Sequence, residues 1–333
     1  MPMKFTEYAN LTAISPLAKR VAYVIARESP LARMIPYEEV GDLSVMMIEN
    51  QGLPTPAHRP LNPASITEKQ VPFGQRQETL KILSDKVQVD RQFRNNKSAI
   101  VDPLAATIEG YSKSVAYENV QQFINGDPAV NIDEPAGMVS RFLTDSRLSD
   151  GATAPGTQKR VIDANNQNAD FSLEADRAKL FNAIHEALSI MDGGVADVMV
   201  ANRQTILGLA EASRRGGTLF SQTKDQFDRP LRMFDGIPII DAGVKPAGVL
   251  DLATGQQVIP TSPSTDNLTD DSIWLLKWGP TMMTGIQKGA LEVIRFRPDS
   301  DSSAFPNHVV AFEWVYGFHL VNPYAVALIR RAV

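Results

Sequence analysis

No cysteine occurs in the chain. Disulfides, thiolate metal ligands and cysteine nucleophiles are therefore excluded, and a reducing compartment fits. Histidine is nearly as scarce. His58, His185, His308 and His319 are scattered, and His185-Glu186 is not followed by a second histidine at the spacing of a zinc-binding helix. Long apolar runs are missing as well: none approaches the ~20 residues of a membrane span. The opening MPMKFTEYANLT lacks the apolar core of a signal peptide. Synthesis and function in the cytosol, with no membrane partner, is the expectation. Positive charge is not in excess, since 33 Lys and Arg against 38 Asp and Glu leave a net charge of −5. A dedicated nucleic-acid binder would be basic, so DNA could lie nearby only through non-specific contact.

Catalytic signatures are absent too. There is no GxSxG elbow, no GxGxxG after a strand and no GxxxxGK[ST] loop. Arg214-Arg215-Gly216-Gly217 follows a helical pattern instead of opening one, and reads as a surface turn. The neighbouring carboxylates Asp133-Glu134 and Asp270-Asp271 are consecutive, so each pair tends to point apart. Trp274 and Trp278, four apart in SIWLLKWG, share one face of a strand and read as core or interface anchors. No residue is assigned a catalytic, cofactor-binding or metal role, and the chain reads as a non-enzyme.

What is present is a packed protein's composition, 43% hydrophobic over 333 residues, long enough for two domains. Its organising stretch is Asp102 to Gly126, DPLAATIEGYSKSVAYENVQQFING. Asp102 caps and Pro103 opens a helix; Leu104, Ile108, Tyr111, Val115, Tyr117, Val120 and Ile124 form one apolar stripe. Glu109 and Lys113 pair four apart, and Gly126 with Pro128 closes the helix. The result is a rod of roughly 34 Å.

Around this rod the chain divides as follows. Residues 1–42 read as an arm, with a helix carrying Leu17, Val21, Val24 and Ala26 that ends at Ser29-Pro30. Two β-compatible runs, LSVMMI from Leu43 and ETLKILSDKVQVD from Glu78, flank a long proline-rich loop, so 43–90 reads as an extended hairpin projecting outward. Residues 127–170 are loop-rich. Ser172 is expected to cap a helix burying Leu173, Leu180, Ile184, Leu188 and Met191 up to Gly193-Gly194. A strand from Val195 to Val200 follows, then a helix capped by Asn202. FDGIPIIDA gives an edge-type strand around Pro238, SIWLLKWG and TMMTGIQ two more, LEVIRFR and HVVAFEWVYGFHLVN an antiparallel pair, and AVALIRRAV a buried C-terminal strand. The class is α+β with a central sheet.

The order and spacing of these phrases resemble the major capsid protein of tailed double-stranded-DNA bacteriophages, the Hong Kong 97 type fold. The likeness rests on LPTPAHRPLNPASIT leading into ETLKILSDKVQVDRQF, on QQFINGDP at the helix end, and on FDGIPIIDA, GIQKGALEV and GFHLVNPYAVALI. It implies an N-arm at 1–42 and an E-loop at 43–90. It also implies a P-domain at 91–139 and 286–320, with its spine helix at about 102–126, and an A-domain at 140–285 and 321–333. The implied function is a major capsid protein that self-assembles as pentamers and hexamers into the icosahedral head shell enclosing phage DNA. The chain would then reside in the virion, with a separate scaffolding protein, a portal protein and a decoration protein as partners. Some relatives cross-link lysine to asparagine; Lys69, Asn307 and Asn322 are the residues to weigh here, and they read as solvated polar side chains. An encapsulin-type compartment is the alternative, and a soluble hydrolase a remote one.

Overall fold

The computed structural model describes residues 3–4, 16–50, 58, 73–90, 103–145, 147–148, 160–164, 166, 170–216, 221–224, 228, 230–243, 259, 271–296 and 307–330. Asp102, Lys69 and Asp270 lie outside them.

The arm's helix α1 (Pro16–Glu28) buries Val21, Ala22 and Ile25 against the spine helix α3 (Pro103–Asn125). Ser29 ends α1 and at the same time caps a second short helix, α2 (Pro30–Met34), its Oγ accepting the Ala32 amide at 3.1 Å. Along α3 the expected stripe is largely observed: Leu104, Ile108, Val115, Val120 and Ile124 are buried with Phe123, while Tyr111 and Tyr117 are half-buried. Lys113 reaches Glu109 at 3.7 Å, and Arg27 of α1 joins the same carboxylate at 3.2 Å.

Gly126 closes α3 for a reason other than a left-handed cap. A Cβ there would stand 2.4 Å from the Pro135 carbonyl, because the chain returns against the helix end and the Gly137 amide donates to the Gly126 carbonyl at 2.8 Å. Gly137 opens a helix that periodicity did not reveal, α4 (Met138–Thr144), which buries Met138 and Phe142. Seven residues are too few for a periodic signal.

A six-stranded sheet lies under α3. Its strands are β1 (Met3–Lys4), β2 (Pro36–Glu39), β5 (Lys81–Asp90), β12 (Met283–Gln287), β13 (Glu292–Phe296) and β14 (Asn307–Leu320). β14 is the axis: β5 pairs with one edge from Asn307 to Tyr316, while β13 and then β12 pair with the other. Between those two, the residues from Lys288 to Leu291 face only Trp314 and Val315, a bulge that bends the edge. Alternation puts Phe312, Trp314, Tyr316 and Phe318 on the helix side of β14, where Tyr111 packs 4.5 Å from Phe312 and Phe123 4.9 Å from Phe318.

The expected hairpin at 43–90 is shorter than the sequence suggested. β3 (Ser44–Asn50) pairs with β4 (Phe73–Thr79), but Lys81–Asp90 pairs with β14 and belongs to the six-stranded sheet. Leu83, Val87 and Val89 face the core, and nothing local in the run told which strand would partner it.

The second sheet has seven strands in the order β6 (Val161–Asp163), β15 (Val326–Arg330), β11 (Ile273–Leu276), β7 (Val198–Ala201), β10 (Ile237–Asp241), β9 (Pro230–Phe234) and β8 (Ser221–Lys224). Its central strands are buried on both faces, which is why they read as unbroken apolar runs. One face, with Val198, Val200, Trp274, Leu276 and Leu328, joins the core under α3. The other, with Met199, Ala201, Leu275 and Ile329, packs on α5 (Glu174–Ile190) and α6 (Arg203–Gly216).

Three expectations are corrected here. β10 is internal, between β7 and β9; Pro238 is tolerated because the parallel ladder with β7 begins one residue later, at Ile239. Ser172 does not cap α5: its amide donates to the Asp170 carboxylate at 2.9 Å, the capping position falls on Leu173, and Leu173 is exposed. The strand expected from Val195 begins at Val198, and Val195 is exposed. Asn202 caps α6 as expected, accepting the Thr205 amide at 2.6 Å.

Candidate assembly surfaces

β3 and β4 pair along their whole length as a separate two-stranded sheet. Among the described residues neither strand pairs with a third; Met46 on β3 and Leu43 just before it are exposed. A two-stranded ribbon is marginal in water on its own. What supports it is its root, because β4 continues through Leu80 into β5. Phe73 to Asp90 is then roughly 60 Å of extended chain at about 3.3 Å per residue. Lys81–Asp90 is paired in the main sheet with β14, and Phe73–Thr79 only with β3.

The root carries a buried ionic cluster. Arg141 of α4, 1% exposed, donates to both oxygens of Glu78 at 2.7 and 2.9 Å. It also donates to the carbonyls of Phe318 at 2.7 Å and Ala136 at 3.1 Å. Arg76 bridges Glu78, at 2.9 Å, to Asp145. Arg147 holds Asp145 at 2.6 Å and donates to the Val321 carbonyl at 3.1 Å. Burial pushes the Glu78 carboxyl up, but Arg141 and Arg76 outweigh it and the pKa is lowered. Asp145 is likewise lowered, its burial outweighed by hydrogen bonds from Arg147. His319 sits beside them, 1% exposed. Burial brings its pKa down to about 4; Glu78 pulls the other way, and Arg141, Arg76 and Arg147 lower it further. The cluster thus ties the ribbon to α4 and to the end of β14. No sequence signal pointed to it, since Arg141 lies 63 residues from Glu78 and 177 from Phe318.

A second exposed surface is the face of the six-stranded sheet turned away from α3. Ile82, Ile294 and Phe296 are exposed there. β5 and β13 flank β14 with these residues in register with Val315, Ala311 and Val309.

The residues weighed for chemistry stay apart. Among the described residues no group of three His, Asp or Glu side chains is placed to hold a metal. His58 and His185 are exposed, and His308 is half-buried. Glu134 turns back to accept the Asp127 amide at 3.3 Å while its neighbour Asp133 stays exposed. Asn307 donates to Gln88 at 3.4 Å. Asn322 caps a short turn by accepting the Tyr324 amide at 2.9 Å, and donates to Asp192 at 3.3 Å. Trp278 lies beyond the end of β11 and not on its face as expected, yet it and Trp274 pack on one core, meeting Phe123 at 5.9 Å and Phe142 at 5.4 Å.

A long helix laid along a long-stranded sheet, a two-stranded ribbon continuous with that sheet and a second sheet packed between helices make a mixed α and β fold like that of Hong Kong 97 type capsid proteins. Solved structures share this fold at low sequence identity. A chain of the holo-SrpI encapsulin complex from Synechococcus elongatus PCC 7942 superposes with a TM-score of 0.58 at 12% identity, covering 90% of this chain and 86% of its own. The capsid of an empty GTA particle, computed with C5 symmetry, gives 0.58 at 16% identity, covering 91% and 89%. A chain from Mycobacterium phage Adephagia gives 0.56 at 11% identity, covering 92% and 89%. No protein-family model and no curated protein matches the sequence.

Proposed function

We propose that this chain is a major capsid protein: a structural, non-enzymatic subunit that assembles as pentamers and hexamers into an icosahedral head shell around phage double-stranded DNA. The observation that carries the reading is the β3–β4 ribbon, a two-stranded sheet with no third strand among the described residues and a buried ionic root. Such a ribbon gains the partner it lacks by lying across a neighbouring subunit, and a contact of that kind repeats around a closed shell. The shared fold supports it, and the GTA capsid was computed with C5 symmetry.

In this reading 1–42 serve as the N-arm and the ribbon as the E-loop. The six-stranded sheet with α3 and α4 is the P-domain, and the seven-stranded sheet the A-domain. The boundaries drawn from the sequence at 139/140 and 285/286 then move, because each cuts an element, α4 and β12. A separate scaffolding protein, a portal and a decoration protein complete the assembly in the virion, after synthesis in the host cytoplasm. DNA would touch the inner surface without sequence readout, in line with a net charge of −5.

An encapsulin-type compartment is the second reading, favoured by the likeness to the holo-SrpI encapsulin complex. Particles purified from the cells that make the chain decide between the two. Nuclease-resistant DNA inside supports the phage head, and a folded protein cargo without DNA supports the compartment. For the ribbon itself, residues 46–77 are replaced by a short Gly-Ser turn that retains Glu78. The chain is then expected to stay a folded monomer that closes no shells, and normal assembly of that variant would contradict the reading.

A further inference from the structure

Between α3 and α4 the chain forms a tight loop, 127–137, that exposes two aliphatic side chains almost completely: Val130 is 86% and Ile132 75% exposed. The loop is not loose. Asp127 accepts the Ala129 amide at 3.0 Å and the Ser140 hydroxyl at 3.1 Å. Asn131 accepts the Asp133 amide and donates to Glu134, each at 3.2 Å, and Lys81 donates to the Ile132 carbonyl. Rigid backbone that holds Val130 and Ile132 in water makes a preformed knob, with the exposed carboxylate of Asp133 next to it.

At the other end of α3 lies a matching hollow of about 280 Å³ between α1 and α3. Leu17, Val21, Val24, Ala105 and Ile108 line it, and Arg20, Arg27 and Arg295 stand on its rim. Arg27 is engaged by Glu28 and Glu109. Arg20 and Arg295 are exposed and have no carboxylate partner among the described residues, so the rim carries surplus positive charge. Knob and hollow are thus complementary in polarity and in charge. Within one chain they cannot meet: from Ile108 to Asn125 the helix separates them by roughly 25 Å.

We propose that the 127–137 loop of one copy seats Val130 and Ile132 in the α1–α3 hollow of the next copy, with Asp133 against Arg20 and Arg295. The contact joins two different patches, so it is head-to-tail and propagates into a ring or a string rather than closing as a two-fold dimer. This rests on the shell-forming reading and specifies one of its interfaces.

The absence of native cysteine makes the test clean. Ile132→Cys and Arg20→Cys, both at exposed positions, are made singly and together, assembled, and treated with a mild oxidant. Only the double variant is expected to give a ladder of covalent oligomers on a non-reducing gel, collapsing to monomer with reductant. Shells visible by negative stain without a ladder would overturn the interface and leave the shell function standing. Complete dimerisation of Ile132→Cys alone, meaning knob meets knob, would do the same. A chain that stays monomeric throughout would overturn both. Ile132→Asp is expected to lower assembly at least tenfold at an unchanged melting temperature; undiminished assembly counts against the interface.

Discussion

Removing Arg141 tests whether the ribbon's root is an ionic lock. Arg141→Leu deletes two charge-assisted bonds to Glu78 and leaves the Phe318 carbonyl without its 2.7 Å donor, in a site 1% exposed. Breaking a buried pair by removing one partner costs about 3–5 kcal/mol, because the remaining charge stays desolvated. Arg76 still reaches Glu78 at 2.9 Å and keeps part of the compensation, which places the expected loss near the lower end, about 3 kcal/mol. Adding Glu78→Leu removes the stranded carboxylate. The double variant is then expected to lose only about 1 kcal/mol, a coupling of about 2 kcal/mol or more between the two positions. The assay is urea unfolding of the unassembled chain followed by the fluorescence of Trp274, Trp278 and Trp314, all placed against the core under α3. A loss below about 1 kcal/mol for Arg141→Leu, or a double variant as costly as the two singles together, would refute the lock.

Three further outcomes follow from the same geometry. Gly126→Ala puts a Cβ 2.4 Å from the Pro135 carbonyl and is expected to destabilise by about 1–3 kcal/mol, whereas Gly110→Ala, with nothing within 4 Å, should stabilise the same helix by up to about 1 kcal/mol; melting temperatures of opposite shift check both. His319 loses its proton more readily folded than unfolded, its pKa of about 4 against an ordinary value of about 6.5. Its contribution is therefore complete above pH 6.5 and is lost as pH falls toward 4, on the order of 3 kcal/mol, with Glu78 and Asp145 withdrawing theirs at still lower pH. His319→Gln should flatten the melting temperature between pH 6.5 and 4, and an unchanged slope would exclude the assignment. Ending the chain at Ala325 removes β15 from between β6 and β11, where all five residues are buried, and should leave no soluble protein. A soluble, cooperatively melting truncation would count against β15 as a core strand.

The parts of the fold legible in the sequence were those whose signal is local. α3 announces itself through its own stripe, and the central strands of the seven-stranded sheet through unbroken apolar runs. What escaped depends on contacts far along the chain. Lys81–Asp90 carries a strand's alternation whichever strand it pairs with, so its place beside β14 and not β3 is tertiary information. Gly126 reads as a helix cap but is fixed by the return of Pro135, and Ser172 reads as a cap but is drawn into a turn by Asp170. A ribbon was expected at 43–90 because a long proline-rich segment between two strand patterns has little to bury, but β3 pairs with Phe73–Thr79, a polar run without a strand's apolar alternation. The ribbon's anchor was not legible, because Arg141, Asp145 and Arg147 are unremarkable polar residues until Glu78 and Arg76 arrive beside them.

Sedimentation velocity on the purified chain, across a range of concentrations and with the fastest fraction imaged by negative stain, tests the central claim most directly. The account predicts species of five or six chains or closed shells of megadalton mass. A compact monomer of 36.5 kDa under every condition would contradict it.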